Sequence, residues 1–499
     1  MGIKKWIDLQ LHPERIPENP FLTSKLLPLD TLRMSTAQML QNYPSPQLVK
    51  EMVAGKLPFP DDPDKRMMVE RLAARLEGKV GQDGAQPRAE LATLLPPSQV
   101  RLLRAGNSQE KLELFNSFPP DRQDQLLESM GQGLRMQLFA AAPPELRRRI
   151  QSANGPQSMV AQDLFDAKLL RAVYSNRQLE EVLTDFWYNH FNVFLDKGAD
   201  RYLVTAYERD AIRPYVLGKF EDLLRATAQS PAMLFYLDNW ESVGAPSPAA
   251  RRQQRGLNEN YGRELLELHT LGVDGGYTQK DVTEVARCFT GWTIRQPQRV
   301  AEFEFNPRMH DDGEKTVLGV RISAGGGRSD GFKVLHLLAH SPSTAHFISR
   351  KLAIRFVADD PPPALVDRMA ATFLKKDGDL RAVMKAMFDS PEFWSRGAYR
   401  SKMKSPLEMV ASALRAANAD LDFAFGLNNQ LAQLGEPLYR KAEPTGYANS
   451  SQEWLNSAGL LARMNFSVAL ANNKVPGVKV VSAVPADGVS FGSPDFQKK

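Results

Sequence analysis

Residues 257–294 constrain the fold more strongly than any other part of the chain. They read LNENYGRELLELHTLGVDGGYTQKDVTEVARCFTGWTI. This pattern predicts a helix over 258–271, a glycine-rich turn and a second helix over 279–290. Thr278 and Asp281 approximate a capping box at the start of the second helix. We therefore expect the two helices to form an antiparallel hairpin at the centre of the fold.

A carboxylate occupies an unusual place on the first of these helices. At 100° per residue, one arc of the helix is apolar, and it consists of Tyr261, Leu265, Leu268 and Leu271. Glu264 falls inside this arc, and His269 lies at its edge. A buried carboxylate must pair with a cation, bind a metal or stay protonated. Glu264 is thus either the partner of a buried Arg or Lys or a site carboxylate.

A histidine has a similar position on the helix predicted over 177–194, which we expect to pack against the hairpin. His190 lies in the middle of the apolar face beside Phe186, whereas Tyr188 and Asn192 are expected to point away from it. One interpretation is a core histidine with local hydrogen bonds. The other is that this histidine meets the buried carboxylate of the hairpin, because buried polar groups generally find partners.

The hydrophobic period changes to two after the hairpin. Residues 300–305 alternate, and residues 316–322 are predicted to be their partner strand. The turn between them is expected to expose four polar side chains, which are His310, Asp311, Asp312 and Lys315. A simple Asx-type turn would explain them, but a His–Asp pair can also act as a base or bind a metal. We expect the His310–Asp311 pair to reach over His190 and Glu264.

These observations define a candidate site. Its candidate catalytic residues are His190, Glu264, His269, His310 and Asp311. Histidines and carboxylates together suit general acid–base catalysis or a divalent metal. The aromatic candidates for a cofactor- or sugar-binding wall are Trp187, Tyr261 and Trp292, although core packing explains them equally well.

The N-terminal part of the chain contains an internal repeat. The segments LPPSQVRLLRAG, FPPDRQDQLLESM and APPELRRRIQSA each carry a proline pair, and their second prolines are 23 and 24 residues apart. Proline suits the first helical turn, so we expect three stacked pairs of short helices, as a docking surface or as a subdomain packed on the core. The predicted organisation is an N-terminal arm and repeat subdomain over 1–155, a helical core domain over 156–475 and a tail over 476–499.

Several classes of function are excluded by missing motifs. The chain has no nucleophile elbow, phosphate-binding loop or dinucleotide fingerprint, so no nucleotide cofactor is expected. The one cysteine, Cys288, rules out intramolecular disulfides and cysteine-based zinc sites. His336 and His340 are four residues apart but lack the Glu of the zincin motif, and we interpret them as structural.

The charge and hydropathy patterns exclude further classes of partner. A net charge of +5 over 499 residues, without a basic tract, indicates no nucleic-acid binding. No apolar run reaches the length of a transmembrane segment. The first residues, MGIKKWIDLQLHPERIP, contain no apolar signal-peptide core. We expect segments to be missing before residue 1 and near residue 480.

Long segments of the chain resemble the bacterial family named domain of unknown function 1800. Besides the hairpin sequence, the matching segments are FWYNHFNVFLDKG (186–198), FNPRMHDDGEKTVLG (305–319), DGFKVLHLLAHSPSTAHFISRKLAIRFV (330–357), KSPLEMVASALRA (404–416), WLNSAGLLARMNF (454–466) and the terminal GSPDFQKK. The resemblance implies a periplasmic or secreted protein. It also implies a partner that resembles secreted phosphatases and sulfatases, because genes of the two kinds tend to be neighbours.

The expected fold is mainly α-helical, a multi-helix globular core with a small antiparallel β-hairpin. Two classes of function remain open. The first is an exported or envelope-associated enzyme with a buried His/carboxylate site that works by acid–base or metal-dependent chemistry. The second is a non-catalytic accessory or scaffold partner of the phosphatase- or sulfatase-like protein. A concave site with converging side chains would favour the enzyme, and a large exposed apolar patch would favour the scaffold.

Overall fold

The computed structural model describes residues 2–80, 91–152, 155–245, 247, 249, 256–480 and 491–499. Over these ranges the chain is mainly α-helical and has three two-stranded antiparallel sheets. The predicted fold class is thus confirmed. None of the described helices is long and apolar enough to span a bilayer. The chain divides into two compact units, Met1–Leu27 with Phe165–Lys499, and Pro28–Leu164.

The unit Pro28–Leu164 is built from short helices. Its helices are Asp30–Arg33 (3-10), Thr36–Asn42, Pro46–Val53, Pro63–Val80, Leu91–Leu94, Pro97–Ala105, Ser108–Asn116, Pro120–Ser129, Gln132–Ala141 and Pro144–Ser152. Each of the three predicted repeats begins a helix at its second proline, namely Pro97, Pro120 and Pro144. The first two repeats continue into a second helix, as expected for helix pairs.

The larger unit holds most of the remaining elements. Its helices are Ile3–Gln10, Pro13–Arg15 (3-10), Pro20–Leu26, Gln178–His190, Asp200–Ala206, Tyr207–Ile212 (π), Arg213–Tyr215 (3-10), Phe220–Ala228, Pro231–Tyr236, Asn239–Glu241 (3-10), Asn260–Glu264, Leu265–Thr270 (π), Gln279–Phe289, Ser329–Ala339, Pro342–Phe356, Pro363–Lys375, Leu380–Phe388, Pro406–Ala416, Phe425–Gln433, Ser451–Trp454 (3-10), Ser457–Ala471 and Pro494–Gln497. The helix Ser158–Tyr174 begins in the smaller unit and ends in the larger one.

The predicted helical hairpin is present. Its arms are the helical turns from Asn260 to Thr270 and the helix Gln279–Phe289, which starts with the predicted capping box of Thr278 and Asp281. The arms approach closely at Gly262, where a Cβ atom would lie 3.0 Å from the Val282 oxygen. Leu265 and Phe289 are fully buried, as expected, and Leu268 is half-buried.

The first arm differs from the expected straight α-helix. From Leu265 it is a π-helix, in which the amide of Leu271 donates to the Leu266 oxygen over 2.9 Å. A π turn holds more residues than an α turn, so the 100° spacing fails beyond this point. Leu268 and Leu271 are rotated relative to Glu264 as a result. Glu264 is half-buried rather than enclosed in the apolar core.

The strand pairing also differs from the prediction of one hairpin near 300–322. Glu302–Phe305 pairs with the preceding strand Trp292–Arg295, and Lys315–Val317 pairs with Val320–Ile322. The reason is the turn at Leu318 and Gly319, where φ is 49° and 77°. Two consecutive left-handed residues form a tight hairpin turn, which splits the predicted strand 316–322. The third sheet pairs Ala419–Leu421 with Val478–Val480.

The residues near 480, where we expect a segment to be missing, lie partly outside the described ranges.

Candidate functional site

His190, the histidine predicted on an apolar helix face, lies among aromatic rings. The helix Gln178–His190 ends at His190, four residues earlier than expected, and its apolar face packs Phe186 and Trp187 beside that histidine. The Nε2 atom of His190 is 3.1 Å from the main-chain oxygen of His269, and the two imidazole rings are 6.3 Å apart. These two candidates are therefore neighbours in the structure.

Both histidines are buried and neutral. Burial, with a smaller contribution from the charge of Lys351, holds the pKa of His190 well below its usual range. The same two causes lower the pKa of His269 to about 3. By contrast, burial and then the charge of Glu267 raise the pKa of the half-buried Glu264. A neutral imidazole in an apolar pocket can act as a hydrogen-bond partner, but it exchanges no proton near neutral pH.

The predicted turn pair forms a second, separate set of contacts. His310 and Asp311 are buried, not exposed as expected, and so is Lys315. The Nδ1 atom of His310 lies 2.8 Å from the Thr290 oxygen. The short turn at Leu318 and Gly319 explains the difference, because it draws Lys315 into its own small sheet and inward.

The buried cation of this set meets a buried carboxylate. Lys315 Nζ is 2.8 Å from Asp330 Oδ2, and His310 Nε2 is 3.5 Å from the same oxygen. Asp311 forms an ion pair with Arg287 at 2.7 Å. These contacts connect the hairpin Lys315–Ile322 to the helix Ser329–Ala339. The carboxylates of Asp311 and Asp330 each form an ion pair with a cationic side chain.

The three aromatic candidates are core residues. Trp187 donates to the Val216 oxygen over 3.3 Å, Tyr261 contacts Phe289 edge-to-face, and Trp292 packs on Phe303 and Phe332. All three are buried, and none lines the two cavities described next. Their assignment to a cofactor and the catalytic assignment of the five polar residues stay predictions.

The other face of the helix Gln178–His190 carries a polar stripe. Asp185, Tyr188, Asn189 and Asn192 follow one another at helical spacing. Tyr188 and Asn192, which were expected to point away from the His190 face, are buried. The side chain of Asn189 bonds both the amide and the carbonyl of Tyr447, at 2.6 and 2.7 Å. The helix is therefore buried on both faces, and its polar side faces a charged interior.

Two adjoining cavities open on this polar side. Both are small and are lined by Lys168, Asp185 and Arg355. The first is further lined by Tyr188, Asn189, Asn192, Ser405, Glu436, Leu438, Tyr439, Tyr447, Ala448, Asn449 and Trp454. The second is further lined by Ala172, Gln178, Glu181, Val182, Thr184, Glu208, Arg213, Leu407, Glu408 and Ala411.

A chain of ion pairs includes the three residues that line both cavities. Asp185 lies 3.0 Å from Lys168 and 3.2 Å from Arg355. Arg355 lies 3.1 Å from Glu408, which also contacts Lys499. Burial alone would raise the pKa of Glu408, but these two cations hold it at about 2. The Glu408 carboxylate is thus ionised at any working pH.

A second carboxylate is fixed in the same way. Glu208 lies 3.6 Å from Lys168 and 3.4 Å from Arg213, and it accepts a 2.6 Å hydrogen bond from the Tyr439 hydroxyl. Burial opposes ionisation of Glu208, yet the two cations and this hydrogen bond lower its pKa to about 2. Such fixed charges set the electrostatic field of the cavities.

Glu436 differs from these carboxylates. It is 6% exposed, and its carboxylate accepts a 2.7 Å hydrogen bond from the amide of Leu407. Burial and then the negative charge of Asp185 raise the pKa of Glu436 to about 7, against the opposing effect of Arg355. Glu436 is therefore a carboxyl group that can gain or lose a proton at neutral pH.

Arg355 supplies an unused donor at the same place. Its Nε–H is buried and has no acceptor among the described residues, although its other nitrogens are bonded to Asp185 and, at 3.5 Å, to Asn449. A buried guanidinium donor without an acceptor is costly unless water or a ligand satisfies it. Arg355, which lines the cavity with Glu436, thus carries a buried donor that the described residues leave unsatisfied.

Sequence reasoning missed these residues although signals for them exist. Lys168 and Arg355 are charged residues on mostly apolar helices, the same anomaly that drew attention to Glu264 and His190. The polar stripe that begins at Asp185 shows helical spacing in the sequence. Glu436 lies outside any helix, so no periodicity marks it.

Comparison of the sequence with models of known protein families identifies one family. The family model described as "Protein of unknown function (DUF1800)" matches residues 1–495, nearly the whole chain. No curated protein and no solved structure gives a significant match. Because the match spans both units and every segment that lines the two cavities, the chain belongs to the family of proteins of unknown function described as DUF1800.

Proposed function

We propose that this protein is an enzyme that performs general acid–base chemistry on a small polar substrate in the cavity beside Glu436. The observation that carries the proposal is the position of that carboxyl. It lies buried next to Asp185 and Arg355 and lines the first of the two cavities. A catalytic acid or base works best when its pKa is near the working pH.

Each neighbouring group has a distinct role in this proposal. Asp185 forms ion pairs with Lys168 and Arg355, while Glu436 takes up and releases the proton. Two carboxyl groups with different environments commonly divide acid and base roles in this way. The free Nε–H of Arg355 would orient an oxygen of the substrate.

The charges in the cavity restrict the substrate. The cations that line the cavity beside Glu436 are Lys168 and Arg355, and Asp185 and Glu436 oppose them there, so this cavity carries no large net charge. A small neutral or singly charged molecule with hydroxyl, amide or carboxyl groups fits such a site better than a polyanion. We further propose that the enzyme acts in the periplasm or outside the cell, which rests on the family resemblance alone.

The test is a ligand screen with a matched pair of variants. Thermal shift is measured for the wild-type protein, Glu436→Gln and Glu453→Gln, against a panel of small carboxylic acids, polyols and amides at pH 7. Glu453 is exposed and serves as the control. We expect compounds that stabilise the wild-type protein and the control but not Glu436→Gln, and turnover of at least one of them. Equal stabilisation of all three proteins, or of none, contradicts the proposal.

A second function is favoured by a different observation. On the helix Ser457–Ala471, Leu461, Met464 and Val468 share one face and are 52–60% exposed. Exposed apolar stripes of this kind commonly bind partner proteins. We propose this face as the docking surface for the phosphatase- or sulfatase-like partner that the resemblance implies.

Co-expression tests the docking surface. The partner encoded beside the gene is tagged and recovered with the wild-type protein, with Leu461→Asp/Met464→Asp, or with Leu374→Asp, a control that alters an exposed leucine on another helix. We expect only the double variant to lose the partner. Recovery of the partner with all three proteins would rule out this surface.

A further inference from the structure

Three potential ligand side chains converge on the surface of the larger unit, away from the acid–base cavity. His336, on the helix Ser329–Ala339, and His340, just after it, face Glu221 on the helix Phe220–Ala228. The Nδ1 atom of His336 lies 3.2 Å from both carboxylate oxygens of Glu221, and that of His340 lies 3.9 Å from one of them. The two imidazole rings are 4.2 Å apart.

These distances match the spacing of ligands around one metal ion. Bonds of about 2.0–2.1 Å in a tetrahedral site place neighbouring ligand atoms a little over 3 Å apart. One ligand atom from each of the three side chains lies within 4.8 Å of the other two. Among the described residues, these three are the group of histidine, cysteine and carboxylate side chains that meets this condition.

A fourth residue orients one of the imidazoles. The Nε2 atom of His340 lies 2.7 Å from Asp377 Oδ1. A metal-binding histidine commonly donates its second ring N–H to a carboxylate in this way, which leaves the other nitrogen for the metal. The Nδ1 atom of His340 also lies 2.8 Å from the main-chain oxygen of His336, and a metal would replace that hydrogen bond.

We propose that Glu221, His336 and His340 bind one divalent transition metal ion of the zinc type, with Asp377 as the orienting partner of His340. Two imidazoles and one carboxylate suit zinc, cobalt or nickel, whereas calcium and magnesium prefer oxygen ligands alone. Two cations lie beside the cluster, since Arg225 pairs with Glu221 and Lys219 with Asp377. They partly neutralise the carboxylates, on which binding of calcium or magnesium would depend. The imidazole ligands are neutral, so these cations do not reduce their contribution in the same way.

Three protein ligands leave at least one coordination position for water. Zinc sites of this composition are open, in contrast to the four-ligand structural sites. The sequence alone favoured a structural role for the two histidines, because the motif lacks the zincin glutamate. The structure instead supplies the carboxylate from Glu221, which is more than a hundred residues earlier in the chain.

The experiment measures metal binding by the intact chain. The protein is treated with chelator, and Zn²⁺ binding is followed by calorimetry and Co²⁺ binding by visible absorption. The variants are His336→Ala, His340→Ala and Asp377→Asn, with His346→Ala as the control. His346 is also exposed, and it lies on the neighbouring helix outside the cluster. Circular dichroism checks that each variant is folded.

We expect one Zn²⁺ per chain and a cobalt spectrum of four- or five-coordinate type. His336→Ala and His340→Ala should each weaken Zn²⁺ binding more than tenfold and abolish this spectrum, and His346→Ala should change neither. Loss of the orienting carboxylate in Asp377→Asn should weaken binding about tenfold. The proposal is overturned if the wild-type protein binds no Zn²⁺, or if either of the two histidine variants binds it as tightly as the wild-type protein does.

Discussion

Buried ionisable side chains in this protein differ in the protonation state that their surroundings stabilise. His190 and His269 stay neutral among aromatic rings. Glu408 stays ionised because Arg355 and Lys499 surround it. Glu436 differs from both, because burial and the negative charge of Asp185 raise its pKa to about 7. The nearest neighbours of each side chain thus decide its protonation state.

The neutral state of His269 predicts a loss of stability in weak acid. Its pKa is lowered from 6.5 to about 3, so below pH 6.5 the unfolded chain binds a proton that the folded chain does not. Stability therefore falls as the pH falls through this window. Between pH 6.5 and about pH 5, this one group should cost about 2 kcal/mol of unfolding free energy.

The measurement is urea unfolding at both pH values for the wild-type protein, His269→Gln and the exposed control His346→Gln. Gln carries no titrating ring, so His269→Gln should lose about 2 kcal/mol less than the wild-type protein between the two pH values. Identical pH dependence in all three proteins would show that His269 is not held neutral by burial.

The residue scale also shows what the sequence could predict of the site. A polar residue on an apolar helix face marks His190, which contacts the main chain at His269. The same signal marks Lys168 and Arg355, which converge with Asp185 on the cavities. Which of these residues meet depends on tertiary packing, which helical periodicity does not describe.

At the scale of elements, the hairpin from Asn260 to Phe289 was predicted correctly where interactions between residues close in sequence determine the structure. Thr278 and Asp281 cap the second helix as expected, because both hydrogen bonds of a capping box are local. The π-helix Leu265–Thr270 was not predicted. There the Thr270 hydroxyl donates a 2.6 Å hydrogen bond to the main-chain oxygen of Leu265. The spacing of hydrophobic residues does not predict such a side-chain hydrogen bond.

The close approach of the hairpin arms gives a prediction for Gly262. An added Cβ would lie 3.0 Å from the Ala286 nitrogen and the Val282 oxygen, which are backbone atoms that cannot turn aside. Gly262→Ala should therefore lower the unfolding free energy by about 1–3 kcal/mol through overpacking.

Chemical denaturation checks this value against Gly133→Ala as a control. Gly133 lies on a helix with open space around the added atom, so alanine there should be neutral or stabilising by up to about 1 kcal/mol. A Gly262→Ala protein as stable as the wild-type protein would mean that the arms are further apart than described.

The ion pair of Lys315 and Asp330 gives a second prediction at this scale. Both side chains are fully buried, and they join a strand to the helix Ser329–Ala339. Lys315→Met leaves the buried carboxylate without its main cation and should cost about 3–5 kcal/mol of unfolding free energy.

The control uses the other lysine that approaches the same carboxylate. Lys333 lies 3.6 Å from Asp330 and is half exposed, so Lys333→Met should cost less than about 1 kcal/mol. Adding Asp330→Asn to Lys315→Met should recover part of the loss. Equal effects of the two lysine variants would contradict the assignment of the buried pair.

Across the whole molecule, the helical class was predicted from periodicity and is confirmed, whereas the long-range assembly was not predicted. The chain divides into Pro28–Leu164 and a unit that combines Met1–Leu27 with Phe165–Lys499. The predicted boundaries at 155 and 475 follow composition, which gives no signal that the first residues join a distant segment. The first cavity likewise gathers residues from 168 to 454 in sequence.

The titration of Glu436 tests the proposed site most directly. Its pKa is raised from 4.5 to about 7, so between these values the folded chain holds a proton that the unfolded chain has released. Stability then falls as the pH rises, and the full loss is about 3 kcal/mol above pH 7. This trend has the opposite sign to that of His269, so only a comparison of variants isolates it.

The measurement is the unfolding free energy of the wild-type protein, Glu436→Gln and the exposed control Glu453→Gln from about pH 4.5 to pH 8. Relative to Glu436→Gln, the wild-type protein and the control should each lose about 3 kcal/mol across this range, with the midpoint of the change between pH 5 and 7. A difference between the wild-type protein and Glu436→Gln that does not change with pH would show that Glu436 ionises like an ordinary carboxyl and is not the proton-exchanging group of this cavity.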